Sequence, residues 1–194
     1  MTIQRGQYNP ELNEDKLAHA ILRFVTDSEI RDLGKTKLMK LLYFADFDHF
    51  ERYDSPITGA RYVRLDHGPV PNDAGIVMRN MLQTGELTES KVAAGGFDRF
   101  AYAASRTFDP SLFSPEELET LKSVAERFKA FTTKQIEMAT HGEAPWLAVK
   151  PYQIIPYHLA YYRNNFGAMD LDEERTDVRE RLTEDDLFAA DIPY

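Results

Sequence analysis

Apolar residues recur along the first part of the chain at the spacing of a helix. They are three or four residues apart, at Leu17, Ile21, Leu22 and Val25. This spacing predicts an amphipathic helix that ends near Thr26. We place its start at residues 9–11 (NPE), because proline is tolerated in the first helical turn and an acid there complements the helix dipole.

A second helix is predicted from Thr36 to about Tyr53, and its apolar residues cover most of the helical circle. They stand at positions 38, 39, 41 to 45, 47 and 50. A helix that is apolar nearly all round belongs inside the protein. We therefore expect this segment to be the central helix of the core.

Short strand signatures follow the central helix. Residues 61–65 (RYVRL) lie between turn formers and predict one strand, and residues 87–92 and 97–103 predict a strand pair joined at glycines 95 and 96. Between them, a helix is predicted from Asp73 to Leu82, with Asn72 as its cap and Gly85 as its stop.

The second half of the chain is again helical in its pattern. The sequence SPEE at 114–117 predicts a helix start, and the apolar spacing carries that helix to about residue 131. Thr132 or Thr133 caps a short helix over 134–141, and PWLAV at 145–149 predicts a further short turn. Two more helical turns are expected in the tail, around 178–182 and 187–188. The predicted fold class is α+β and predominantly helical, with a central buried helix and a small antiparallel β-sheet.

Composition places the chain among folded proteins of one domain. It has 194 residues, of which 43% are hydrophobic and 12% aromatic. The longest apolar run, at 41–45, is far shorter than the roughly 20 residues that span a bilayer, and no leader pattern opens the chain. The absence of cysteine excludes disulfides and thiolate metal sites. We expect a cytoplasmic protein without a membrane partner.

The net charge of −9 is concentrated at the end of the chain. Residues 170–194 contain ten acidic residues against three arginines, a net charge of −7. An acidic chain repels phosphate backbones, so we expect no nucleic-acid partner. A basic or polar protein is the better match for this tail.

The stretch RLDHGPVPND at 64–73 combines a histidine with a glycine and two prolines. Pro69 disfavours the helical conformation at Gly68, and neither Pro69 nor Pro71 can donate a backbone hydrogen bond. We interpret His67, Gly68 and the two prolines as a rigid corner between a strand and the next helix.

Candidate catalytic or metal-binding groups are few. We take His49, His67 and His141 with Asp46 and Asp48 as the groups that could form a metal or acid–base site, but no two of the histidines share a helix at the i, i+4 spacing of a metal site. No nucleophile elbow or phosphate-binding loop occurs. We therefore assign no catalytic residue, no metal ligand and no cofactor, and expect no enzyme. The alternative is a metal-dependent enzyme that uses His67 and His141 with acid help from Asp46.

Two further features admit more than one interpretation. Lys35, Lys37 and Lys40 begin the central helix, where cations oppose the helix dipole. They either meet acids, in a partner or in this chain's own tail, or form a solvated face. Trp146, the only tryptophan, is either an interface anchor or a core plug.

Three motifs, in this order, resemble the Panacea domain, also called the SocA-like antitoxin domain. They are KLMKLLYFADFDHFERY, GARYVRLDHGPVPND and THGEAPWLAVKP, which together cover roughly residues 15–150. The resemblance implies a bacterial or phage antitoxin of a type II system, which neutralises a cognate toxin by direct protein–protein contact. It also leaves open an adaptor that delivers the toxin to a protease.

The resemblance divides the chain into an antitoxin domain at 1–150 and a C-terminal extension at 151–194, whose acidic tail packs on or flanks that domain. It implies that His67, Gly68, Pro69 and Pro71 form one corner. A second corner, packed close to the first, would consist of Thr140, His141, Pro145 and Trp146. Both corners either lock the fold around the central helix or line the surface that binds the toxin.

Overall fold

A computed structural model of the chain describes residues 10–94 and 97–163. These residues contain six helices: α1 (Glu14–Val25), α2 (Lys35–Tyr53), α3 (Ala74–Gln83), α4 (Pro115–Phe128), α5 (Thr133–His141) and α6 (Ala144–Ala148). They also contain five strands: β1 (Tyr62–Leu65), β2 (Gly68–Pro71), β3 (Leu87–Ala94), β4 (Phe97–Ala104) and β5 (Ile154–Ile155). Two 3₁₀ turns lie at Pro110–Leu112 and Tyr157–Tyr162. The predicted fold class, α+β and mainly helical, is confirmed.

Helix α2 is the centre of the molecule, as predicted. Every residue from 37 to 50 is buried, so no side of these turns faces water. Its aromatic side chains stack on several neighbours: Phe44 lies 4.3 Å from Phe128 of α4, and Phe47 lies 4.9 Å from Tyr157, both between ring centroids. Helices α1, α4 and α5 and strand β2 surround it.

Strand β2 was expected to be only a stiff corner, but it pairs with β1 as an antiparallel strand before it leads into α3. Asn72 donates its N–H to the carbonyl of Arg61 at 2.8 Å, which fixes the phase of the ladder. Hydrogen-bonded and non-hydrogen-bonded residue pairs alternate along an antiparallel ladder. The backbone N and C=O of Pro69 and Pro71 therefore face the open edge of the sheet. The missing N–H groups fall where the ladder needs none.

Helix boundaries differ from the prediction in three places. Helix α1 begins after Asn13, whose side chain accepts from the N–H of Lys16 at 3.0 Å, and not at residues 9–11. Helix α3 is preceded by Asp73, which makes no side-chain cap, so Asn72 is not its cap. Helix α4 ends at Phe128, three residues early. Its predicted start is confirmed, because Ser114 and Glu117 form a capping box.

The antiparallel strands form two separate sheets. β1 lies between β2 and β5 in one, and β3 and β4 form a hairpin in the other, as the strand pair predicted at 87–103 requires. The first sheet therefore uses β5, a strand that the sequence pattern did not predict.

Residues 151–163 pack directly on the preceding domain. Ile155 pairs with Tyr62 of β1 and is 1% exposed, and Tyr157, Leu159 and Ala160 are buried in the core. The described part of the C-terminal extension therefore completes the central sheet and the core. The helical turns predicted in the tail and the glycine turn at 95–96 lie outside the described residues.

No helix in the described ranges has the length and apolar composition required to cross a membrane.

Candidate functional site

The histidine–proline stretch and the tryptophan stretch meet on one side of α2. Nδ1 of His67 lies 3.0 Å from the carboxylate of Glu137, and the indole N–H of Trp146 donates to the carbonyl of Leu65 at 3.3 Å. We call this group of contacting side chains the motif cluster; it comprises Lys40, His67, Gly68, Glu137, Thr140, His141 and Trp146. The sequence prediction that the two motifs pack close together is confirmed.

Gly68 is the point of closest approach. Its φ of +94° is a backbone angle that residues with a side chain rarely adopt. A β-carbon there would lie 2.5 Å from Oγ1 of Thr140 and 3.0 Å from Cε of Lys40. Only glycine fits. The hydroxyl of Thr140 donates to the carbonyl of Glu137 at 2.7 Å, so it is satisfied inside α5.

Lys40 lies beneath this contact and is fully buried. Its Nζ donates to the carbonyl of Pro69 at 2.9 Å, an acceptor on the open edge of the sheet. Burial lowers the pKa of Lys40 to about 8, and the negative charge of Glu137 partly opposes this shift. The ammonium group thus donates to Pro69 the hydrogen bond that a neighbouring strand would otherwise supply to this edge.

The rings of His141 and Trp146 stack at a centroid distance of 4.2 Å. The guanidinium of Arg64 also contacts the indole, 3.9 Å from its centroid. Burial lowers the pKa of His141, and Lys40, His67 and Arg64 lower it further, whereas Glu137 raises it. The lowered pKa favours the neutral imidazole of His141, and its buried Nε2 has no hydrogen-bond partner among the described residues. Trp146 is partly buried and packs against the core, so it is neither a fully buried core residue nor a fully exposed interface residue.

The enzyme alternative required Asp46 beside His67 and His141. Asp46 instead accepts hydrogen bonds in the core from Thr58, Tyr62 and Tyr157. Burial raises its pKa, and these hydrogen bonds oppose the shift. The carboxylate beside the histidines is that of Glu137, and no group of three or more metal-ligating side chains occurs in the described parts of the chain.

The lysines of α2 do not form the exposed basic cluster that was expected. Lys35 is exposed, but Lys37 and Lys40 are fully buried. Nζ of Lys37 donates to the carbonyls of Arg31 and Phe131 at 2.7 and 2.6 Å, and to that of Lys129 at 3.3 Å. Burial lowers its pKa. The cation satisfies carbonyls beyond the end of α4, which gives the charge at the start of α2 a structural role.

The charged network around Arg163 was missed by the sequence analysis. Arg163 is nearly buried and pairs with Asp48 at 2.6 Å and with Glu143 at 2.7 Å. Glu143 also accepts from the hydroxyl of Tyr43 at 2.9 Å. Burial would lower the pKa of Arg163, but Glu143 and Asp48 raise it above its usual value, so it stays charged. No local signal links these residues, which are far apart in the chain.

Three large exposed apolar side chains lie on or next to the elements that carry the motif cluster. Met138 of α5 is 63% exposed, Leu147 of α6 is 55% exposed and Tyr152 is 65% exposed. The hydroxyl of Tyr152 lies 3.5 Å from the carboxylate of Asp66, at the turn that also carries His67. We call the surface of Met138, Leu147 and Tyr152, together with His67 and Trp146, the α5–α6 face.

Comparison with known proteins gives one family. Its model is described as the antitoxin SocA-like, Panacea domain, and matches residues 38–147, more than half of the chain. The match contains β1, β2 and α5 and most of α2 and α6, and it includes the whole motif cluster. Neither the curated proteins nor the solved structures give a match. The chain therefore belongs to the family of SocA-like antitoxins with the Panacea domain.

Proposed function

We propose that this protein is the antitoxin of a type II toxin–antitoxin pair and neutralises a cognate toxin by binding it. Membership of an antitoxin-like family supports this role. The arrangement of the motif cluster supports binding over catalysis. Three of its polar side chains are used in internal contacts: Lys40 to Pro69, Thr140 to Glu137, and Trp146 to Leu65.

The motif residues were expected either to lock the fold or to contact the toxin, and we propose that each role belongs to a different set of them. Gly68, Pro69, Thr140 and Pro145 are buried and hold the shape, as does Lys40 beneath them and as does the buried Lys37 near the end of α4. His67, with a side chain that is 82% exposed, and Trp146, which is partly buried, border the α5–α6 face and are available to a partner. We propose that this second group contacts the toxin.

The observation that carries the proposal is the α5–α6 face itself. Met138, Leu147 and Tyr152 leave large apolar side chains in water on or next to the elements of the motif cluster, which includes Trp146, whose ring contacts Arg64. Tryptophan, tyrosine, methionine and arginine are enriched in protein–protein interfaces. The partner chemistry that fits this face is an apolar surface of the toxin.

The acidic tail is the second proposed contact. Its net charge of −7 over residues 170–194 suits a basic region of the toxin. Long-range attraction between them would speed association and would weaken as salt concentration rises. A chain that lacks residues 170–194 should protect less well, and its protection should depend less on salt.

The test is co-expression with the neighbouring open reading frame in a bacterial host. The neighbour alone should arrest growth, and this protein should restore growth and co-purify with it. Met138→Asp/Leu147→Asp should lose both effects. Ile76→Asp is the matched control, since Ile76 is 57% exposed on α3 and does not belong to the face. A harmless neighbour, or full protection by the double variant, would contradict the proposal.

Toxin abundance in the same cells separates two modes of protection. Unchanged abundance supports neutralisation by occupancy. Loss of the toxin that depends on a host protease supports the alternative, an adaptor that delivers the toxin for degradation.

A further inference from the structure

Strand β3 has an exposed outer edge that pairs with no other strand among the described residues. Residues 88–92 (TESKV) are all exposed, and β3 pairs only with β4 among the described strands. The outer edge of β4, in contrast, faces the start of α2 at Phe100, whose carbonyl lies 3.4 Å from the position of a β-carbon on Gly34. The edge of β3 is therefore the candidate for pairing.

The phase of the hairpin shows which backbone groups this edge presents. The N–H of Ser105 donates to the carbonyl of Glu86 at 2.9 Å, and the pairing continues in register through Ser90 opposite Ala101. Bonded pairs alternate with non-bonded pairs, so Ser90 points its backbone towards β4. Glu89 and Lys91 point their N–H and C=O groups outwards, where they are free to form a second ladder.

The sequence at this edge is complementary to itself. If two copies pair antiparallel with Ser90 on the two-fold axis, Glu89 of each copy stands opposite Lys91 of the other. Both pairs are then of the hydrogen-bonded type, with Cα atoms about 5.5 Å apart, and opposite charges are favourable there. Centring the axis on Glu89 or on Lys91 would oppose like charges instead. Only the Ser90 register combines ladder phase with charge.

We propose that β3 is a homodimerisation edge, where two copies join through Glu89 and Lys91 around Ser90 into a continuous four-stranded sheet. The interface is isologous, as expected for a closed two-fold dimer. It involves neither the motif cluster nor the α5–α6 face, so it is independent of toxin binding.

Charge reversal tests the register by molar mass in solution, measured by light scattering over a concentration series. The wild-type protein should reach twice the chain mass of 22.3 kDa. Lys91→Glu alone and Glu89→Lys alone should each remain at one chain mass. An equimolar mixture of the two variants should return to two, as should the chain that carries both substitutions. Lys122→Glu, an exposed lysine on α4, is the control and should dimerise like the wild type.

A crosslink provides a second test that does not rely on charge variants. The chain has no cysteine, and Ser90 of the two copies would form a non-hydrogen-bonded pair with Cα atoms about 4.5 Å apart, within disulfide range. Ser90→Cys should form a disulfide-linked dimer under mild oxidation, whereas exposed Ser111→Cys should not. A wild-type protein of one chain mass at every concentration would overturn the proposal. So would a Lys91→Glu dimer as stable as the wild type, or a Ser90→Cys chain that does not crosslink.

Discussion

Two buried lysines connect parts of the fold through backbone carbonyls. Lys37 holds the carbonyls of Arg31, Lys129 and Phe131, and Lys40 holds that of Pro69. In both cases a single cation satisfies acceptors that regular secondary structure leaves open, at a helix end and at a sheet edge. Neither lysine forms an ion pair with a carboxylate of residues 10–94 or 97–163, so the contacts seen there are structural.

Removing the cation at position 37 should destabilise the protein strongly. Lys37→Met leaves three carbonyls near the end of α4 without this donor, and we expect the free energy of unfolding to fall by about 3 kcal/mol. Lys35→Met is the matched control, because Lys35 lies two residues earlier in the same helix and is exposed; its effect should stay within about 0.5 kcal/mol. Urea unfolding measures both, and equal effects would contradict the role of Lys37.

Lys40 should make stability depend on pH in alkaline solution. Its folded-state pKa of about 8 is below the usual value of about 10.4 in an unfolded chain, so between these values the unfolded chain binds more protons. Stability therefore rises with pH in this window, by at most about 1.4 kcal/mol per pH unit from this group. The difference in unfolding free energy between wild type and Lys40→Met should show this slope from pH 8 to 10. A difference that is flat or falls would contradict it.

Strand β2 shows how the elements are joined around Gly68. The strand must pass close to α5 and α2, and the absence of a side chain at Gly68 makes this approach possible. The prolines stiffen the strand and keep its outer edge free of unpaired donors. The element therefore serves to place the turn at His67 against α5.

Adding a methyl group at position 68 should disrupt this junction. Gly68→Ala combines a positive φ with a contact of 2.5 Å to Oγ1 of Thr140, and we expect a loss of more than about 2 kcal/mol of stability. Gly75→Ala provides the control, since nothing lies within 4 Å of its added carbon and it is in helix α3. There the substitution should be neutral or stabilise by up to about 1 kcal/mol. Thermal unfolding that ranks the two variants in the opposite order would contradict the packing described.

Local signals predicted the elements whose cause is local. The capping box at Ser114 and the apolar circle of α2 are contained within their own segments, and both predictions are confirmed. β5 has only two residues, and its pairing with β1 depends on a partner some ninety positions earlier, so no periodicity indicates it. The buried state of Lys37 was likewise hidden, because its acceptors come from residues 129 and 131.

The whole molecule depends on the segment that follows the family match. Residues 151–163 supply a strand of the central sheet, buried side chains and Arg163, which pairs with Asp48 and Glu143. Without this segment Glu143 would lose its cation and Asp48 would keep only Arg127, a costly change for partly or fully buried charge. The folded unit of the described chain therefore extends to residue 163.

Truncation tests where this unit ends. A chain of residues 1–150 loses the buried Ile155, Tyr157 and Leu159, and each apolar burial contributes about 1.5 to 3 kcal/mol. Since domains are stable by only about 5 to 15 kcal/mol, this chain should not unfold cooperatively. A chain of residues 1–163 should. Circular dichroism during heating distinguishes them, and matching cooperative transitions would show that the segment is dispensable.

We propose that this protein acts by binding to its toxin and not by turnover. Titration of the purified toxin with this protein, with the remaining toxin activity as the readout, tests that claim most directly. We predict that activity falls in proportion to the protein added and disappears at a fixed molar ratio that does not change with incubation time. Complete inactivation by a small fraction of an equivalent, progressing with time, would reveal turnover and contradict the account.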